Sequence, residues 1–290
     1  MDENLVLEKR RKTELVLSNI YNLPGTSKNM HEVTRLLNNP NSNSSELSKV
    51  IGRDQGIATK ILAIANSPMY GLRRRVSTID FAILVIGMKE IKNIIFALSM
   101  MESFKNKTDQ YLNQKEFWLH SLVSGNTAKR IAEKLDYKKS GEAFAAGLLH
   151  DLGIPVIHKY FHTSFVEIFN QVNSAEQSYI NTEFEFLGCH HQEIGYFLTD
   201  KWNLPNSLCD AVLNHHNPGD AKEDKELCAI VHLADYMTQK FRLANFYWDD
   251  GIKPDLSIMD ILKFEDEKKL EEFISDFKDL FYEEVNSQKI

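Results

Sequence analysis

Apolar residues recur along almost the whole chain at spacings of three and four, and strict alternation is nearly absent, which predicts an all-α fold. A first helix carries Leu15, Val16, Leu17 and Ile20 and stops at Leu23-Pro24-Gly25. A second, around Met30 to Leu37, runs into the turn-forming stretch 38–44. Ser44 or Ser45 is placed to cap a short helix from Glu46 to Gly52. Asp54 is placed to cap the next, whose Ile57, Ile61 and Ile64 share a face until Asn66-Ser67-Pro68 ends it. Ser77 with Asp80 resembles a capping box opening the apolar run Ile79 to Ile86; after Gly87, Ile91, Ile94, Ile95 and Leu98 carry a further stripe.

The second half shows the same period with polar residues inside it. On a helix from Glu116 to Leu135 the stripe is Phe117, His120, Ser124, Ala128, Ile131, and its small members would admit a second helix at close range. Phe144 to Leu149 lead into His150-Asp151, with Gly153 supplying the helix end. His191, Ile194, Gly195, Leu198 and Trp202 share one face; Pro205, a good first residue, opens the helix of Leu208, Val212 and His215, beside His216. Leu227, Ile230, Ala234, Met237 and Phe241 repeat on another, with Asp235 on the edge of their stripe. The tail, with Leu270, Phe273, Ile274, Phe277, Leu280 and Phe281 in an acidic background, reads as an amphipathic helix packing on its own chain by default, with a partner as the alternative.

Composition narrows the class of partner. A net charge of −7 repels phosphate backbones, and the basic cluster Arg73, Arg74 and Arg75 reads as a solvated loop, so no nucleic-acid partner is expected. Cys189, Cys209 and Cys228 are odd in number and never in CxxC spacing, which argues against disulfides and a thiolate metal site. No run approaches the roughly 20 apolar residues that span a bilayer, so no membrane partner and a cytoplasmic location are expected.

The chemistry lies in the inward-facing polar groups His120, His150, Asp151, His191, His215, His216 and Asp235. Each would need its own buried hydrogen-bonding partner, whereas one shared divalent cation satisfies all of them. Imidazole with carboxylate and no thiolate suits iron, manganese, zinc or nickel. His158 and His162, at i and i+4, read as surface residues with no acidic third ligand nearby, and His31 and His232 are treated alike.

The order His, His-Asp, His, His-His, Asp resembles the HD superfamily of metal-dependent phosphohydrolases. More narrowly, Leu23-Pro24, Ile51-Gly52-Arg53-Asp54, Ala65-Asn66-Ser67, residues 82–87, Phe117-Trp118-Leu119-His120-Ser121, His191-Gln192-Glu193-Ile194-Gly195, Trp202-Asn203-Leu204-Pro205 and His215-His216-Asn217-Pro218 resemble the HDOD family. The resemblance implies an N-terminal HDOD helical part over 1–108, an HD-type core over 109–245 and a helical tail over 246–290. It implies a role in bacterial signal transduction through a protein partner or a nucleotide-like ligand; oligomeric state stays open. In binuclear relatives of this kind Asp151 would bridge two ions and be the catalytic carboxylate. His120, His150 and Asp235 would complete one site, and His191, His215 and His216 the other. Unlike the cyclic-dinucleotide phosphodiesterases of the HD-GYP branch, this chain has Ile154 where they carry lysine, and Asn217-Pro218-Gly219-Asp220 where they carry Gly-Tyr-Pro; Asp54-Gln55 replaces the usual Asp-Pro. A signalling module is the leading expectation, a working phosphohydrolase the second, and an inert helical scaffold the third.

Overall fold

The structure, a computed structural model, describes residues 3–20, 32, 35, 36, 39, 42–72, 74–104, 106–175, 177–243, 245, 246, 248 and 253–278. All regular elements among them are helices, as the hydrophobic period requires. The stop at Leu23-Pro24-Gly25, most of the expected Met30–Leu37 helix, His31, Arg73, Leu280 and Phe281 lie outside the described residues. Arg74 and Arg75 are exposed.

The first half comprises α1 (Glu3–Ile20), α2 (Ser44–Gly52), α3 (Gln55–Ala65), α4 (Ile79–Ile86) and α5 (Met88–Phe104). Its caps differ slightly from expectation. Asn43 rather than Ser44 or Ser45 caps α2: its side chain accepts the Glu46 amide at 3.0 Å, and both serines already lie within the helix. Thr78 rather than Ser77 caps α4, accepting the Phe81 amide at 3.3 Å. Asp54 caps α3 as expected, through the amides of Gly56 and Ile57. Asn66 pins the following loop by accepting the Val76 amide at 2.7 Å and donating to the Val76 carbonyl at 2.8 Å.

The second half comprises α6 (Gln114–Lys134), α7 (Ser140–Leu149), α8 (Gly153–Tyr160), α9 (His162–Ala175), α10 (Tyr179–Leu187), α11 (His191–Lys201), α12 (Asn206–Asn214), α13 (Lys225–Lys240), α14 (Ser257–Ile261) and α15 (Glu267–Ser275). Helix α7 is the central strut, packed against α5, α6, α12 and α13. The approach of α6 and α7 uses the small residues seen in the sequence: a Cβ on Gly147 would stand 2.9 Å from the Ser124 carbonyl oxygen. Pro205 is the N-cap of α12 rather than its first residue.

The halves are joined by packing and by charge. Phe104 of α5 stacks on Trp202 at 5.5 Å, and Lys60 of α3 bridges Glu102 while lying 4.1 Å above the Trp118 ring of α6. Helix α1 docks on the second half, with Arg10 paired to Glu193 at 2.8 Å and Thr13 donating to the Leu187 carbonyl at 2.8 Å. The tail packs on its own chain, burying Leu270, Ile274 and Phe277, with Lys134 paired to Asp276 at 2.7 Å. No described helix is long and apolar enough to cross a membrane.

Gly153 has a different job from the one its position suggests. It does not end α7 but opens α8, with ordinary negative φ. A Cβ there would stand 2.0 Å from the His191 carbonyl oxygen, so only glycine lets the start of α8 lie against the start of α11. Gly153→Ala is expected to lower unfolding stability by about 2–3 kcal/mol through overpacking against backbone, read from urea denaturation; a change within about 0.5 kcal/mol would contradict the close approach.

Candidate metal centre

His150 and His215 reach the centre by the same local device. Each caps the end of its helix in αR conformation, and each ring places Nδ1 2.8 Å from the carbonyl three residues back, Gly147 or Val212. With Nδ1–H donated there, Nε2 faces inward, free to ligate a cation once it carries no proton. His120 comes from the second turn of α6, His191 from the first residue of α11, and Asp235 from the middle of α13. Asp151 follows the His150 cap of α7, where the chain turns aside before α8 and lets adjacent side chains converge.

All seven expected groups meet, in two adjoining sets: His120, His150, Asp151 and Asp235, and His191, His215 and His216. Asp151 lies between them. Its Oδ2 is 3.1 Å from His120 Nε2 and 3.2 Å from His150 Nε2, and its Oδ1 is 3.5 Å from His191 Nε2 and 3.6 Å from His215 Nε2. Asp235 Oδ1 lies 3.4 Å from both His120 and His150. In the second set His191 Nε2 is 3.4 Å from His215 Nε2 and 3.2 Å from His216 Nε2. All are buried; His216, the most exposed, is 8% exposed.

The electrostatics follow from burial and charge. Burial works against ionising Asp151, but the His150 charge and hydrogen bonds from His120 and His150 outweigh it and hold the carboxyl well below its ordinary value. Burial likewise opposes ionisation of Asp235, and His150 outweighs it. Burial, then the neighbouring His150, pushes His215 down to about 3. His216 is pushed down by burial, then by His215 and His191. Two carboxylates, a protonated His150 and the neutral imidazoles of His215 and His216 therefore share one small volume.

That set fits a divalent cation. Among the described residues, Asp151 Oδ1 and Asp235 Oδ1 are buried side-chain atoms without a hydrogen-bond partner, and an unpartnered buried carboxylate oxygen is costly unless a cation meets it.

The sequence reading missed the residues that hold these groups in place. Glu183, fully buried on α10, accepts from the His191 amide at 2.7 Å and lies 3.0 Å from its Nδ1, and Trp248 Nε1 donates to the same carboxylate. A carboxylate behind a ligand-type imidazole fixes its tautomer. Its one sequence signal is that Glu183 falls four residues from both Tyr179 and Leu187, on the inward face. His232, expected at the surface, is buried: its Nδ1 donates to the His215 carbonyl at 2.6 Å and its Nε2 accepts the Asp255 amide at 2.8 Å. Phe246 lies against His120, ring centroids 4.9 Å apart. Ile154 is fully buried among apolar residues. His158 is buried too, and Asp109 supplies the acidic neighbour that the sequence did not reveal for it and for His162.

Comparison with known proteins gives this arrangement its family. An HDOD domain protein of unknown function from Geobacter sulfurreducens has a similar crystal structure, with a TM-score of 0.72 and 24% identity over 96% of this chain and 99% of that one. A provisionally named signal transduction protein from Marinobacter aquaeolei VT8 gives 0.71 and 19%, over 97% of this chain and 66% of that one. A provisionally named phosphohydrolase from Shewanella amazonensis SB2B gives 0.71 and 20%, over 94% and 97%. At such identities these likenesses establish the fold. An uncharacterized protein of Treponema pallidum (strain Nichols) is 24% identical over 230 residues, 78% of this chain and 44% of that protein, so the chain spans less than half the length of this relative. The HDOD domain pattern matches residues 23–218, well over half of the sequence, and the chain belongs to the HDOD family.

Proposed function

We propose that this chain is a bacterial signal-transduction module built around a buried divalent-metal centre, and that it acts by engaging a protein partner or a nucleotide-like ligand rather than by turnover. His120, His150, Asp151 and Asp235 would hold one ion, and His191, His215 and His216 a second, with Asp151 between them. Iron, manganese, zinc and nickel all suit the donors. The supporting observation is enclosure. The seven groups are at most 8% exposed, Phe246 rests on His120, and the fully buried apolar Ile154 stands where the HD-GYP enzymes carry a lysine for substrate phosphate. The signal transduction name carried by the Marinobacter relative agrees with this reading.

A metal-dependent phosphohydrolase acting on a nucleotide or other phosphoester is the second reading, and one observation favours it: one Asp151 oxygen faces His120 and His150 and the other faces His191 and His215, as a bridging carboxylate requires. Bound divalent ions in such a centre supply Lewis acidity toward a phosphoryl oxygen. The chain's own contribution would be to hold Asp151 ionised, keep His215 and His216 neutral and orient His191 through Glu183.

Elemental analysis of the purified protein is expected to find divalent metal that Asp151→Ala loses in part or whole. A phosphodiesterase and nucleotidase panel on metal-replete protein is expected to show no turnover above that variant; clear turnover would establish the second reading instead. Glu183→Gln is expected to weaken metal binding about 10- to 100-fold, measured by competition with a chromophoric chelator, because the Nδ1 partner of His191 is weakened while the packing stays.

Metal and protons compete for the same nitrogens. Burial opposes a proton on His150, but Asp151 and Asp235 outweigh it and hold the imidazole well above its ordinary 6.5. In the metal-free protein this contribution to stability is full below 6.5 and is lost as pH rises through the folded-state value. His215 runs the other way: with its folded value at about 3, the unfolded chain takes up the proton first, so stability falls as pH drops from 6.5 toward 3. Metal binding displaces the His150 proton, so the metal-induced rise in Tm is expected to grow between about pH 6 and 8. Thermal melts with and without added metal across that range check it, and a shift that shrinks with rising pH would contradict the competition.

A further inference from the structure

Outside the central cluster, the linker between α5 and α6 meets the junction of α8 and α9 at three side chains of metal-binding type. Asp109 comes from the linker. Its Oδ1 accepts the amides of Tyr111 at 2.8 Å and Leu112 at 3.0 Å, which fixes the carboxylate and leaves Oδ2 to face the helices. Oδ2 stands 2.9 Å from His158 Nε2 and 2.8 Å from His162 Nε2. One ligand atom from each of the three residues lies within 4.8 Å of the others.

The surroundings are those of a supported site. The His158 ring is fully enclosed, meets the Phe165 ring edge-to-face at 4.9 Å, and has Asn106 Nδ2 3.3 Å from its Nδ1. An asparagine amide presents either its NH2 or, turned over, its oxygen, so it serves a ring protonated on either nitrogen. The His162 side chain is 49% exposed and that of Asp109 31%, which leaves one side open to water. Burial alone would raise the Asp109 carboxyl, but hydrogen bonds from His162, the Leu112 amide and His158 outweigh it and keep the group well below the usual carboxylate range.

We propose that Asp109, His158 and His162 form a separate mononuclear site for a zinc-class divalent cation, which clasps the linker 106–113 to the start of α9. Two imidazole nitrogens and one carboxylate oxygen with an open fourth position match the preferred donors of such ions. With ligand bonds of about 2.0–2.1 Å, tetrahedral ligand atoms stand roughly 3.3 Å apart. The separations of 2.8 and 2.9 Å need widen only slightly, by rotation of the half-exposed His162 and of Asp109. This assignment is independent of the central cluster.

Zinc stoichiometry by equilibrium dialysis and atomic emission tests it on the full chain. His162→Ala, at a half-exposed position, and Asp109→Asn, which keeps an oxygen for the Tyr111 and Leu112 amides, are each expected to bind one zinc fewer than the parent protein. Asp151→Ala is expected to keep this zinc, so a failed central centre and a failed linker site give different counts. Zinc should also slow proteolysis within 106–113 in the parent and not in His162→Ala. Equal zinc counts in the parent and both variants would overturn the site and leave Asp109 as an ion-pairing residue.

Discussion

The Asp151 carboxylate is the constraint around which the rest of the structure is arranged. It is fully enclosed, it is ionised, and its neighbours at 3.1 to 3.6 Å are imidazoles from α6, the end of α7, α11 and the end of α12. A buried anion of that kind is stable only when positive charge or donors are fixed around it, because taking it out of water costs several kcal/mol. Helices α7, α11 and α12, which carry their imidazoles at an end, must therefore stop or start at a set place. The repeated Nδ1 contact to the carbonyl three residues back, at His150 and again at His215, meets that need locally, since it sets ring orientation from the helix's own last turn.

The centre was legible in the sequence because it breaks the sequence's own rule. In a chain whose helices show clear apolar stripes, His120, His191 and His215 stand on the stripe with Ile131, Ile194 and Val212, and a polar residue there has to be explained by a partner. Helix caps were legible to within one residue: Asp54 as expected, Asn43 and Thr78 next to the serines that seemed equally able, because side-chain type alone does not set which residue leaves the helical turn.

What stayed hidden depends on long-range pairing. Asp109 sits in a polar linker with no periodic pattern, and the histidines it faces are about fifty residues away, so nothing local marks the three as neighbours. His232 lies off the apolar stripe, yet it is enclosed because the chain leading into α14 folds over it and offers the Asp255 amide. Gly153 misled for a related reason. Glycine after a helix is a common stop signal, but here the missing Cβ serves a helix that is distant in sequence.

Enclosure of the centre bears directly on how it would communicate. Helix α8 begins two residues after Asp151 and touches α11 where His191 enters, and α5 packs on both α7 and α8. If the centre binds a ligand as proposed, a change there would act first on the relative placement of α7, α8 and α11, and through α5 on the first half of the chain. Such coupling needs elements with two discrete packings rather than a free path for substrate. Glu183, itself held by Trp248, fixes the His191 ring from behind, so the ring would follow a shift of α11 instead of absorbing it by rotation.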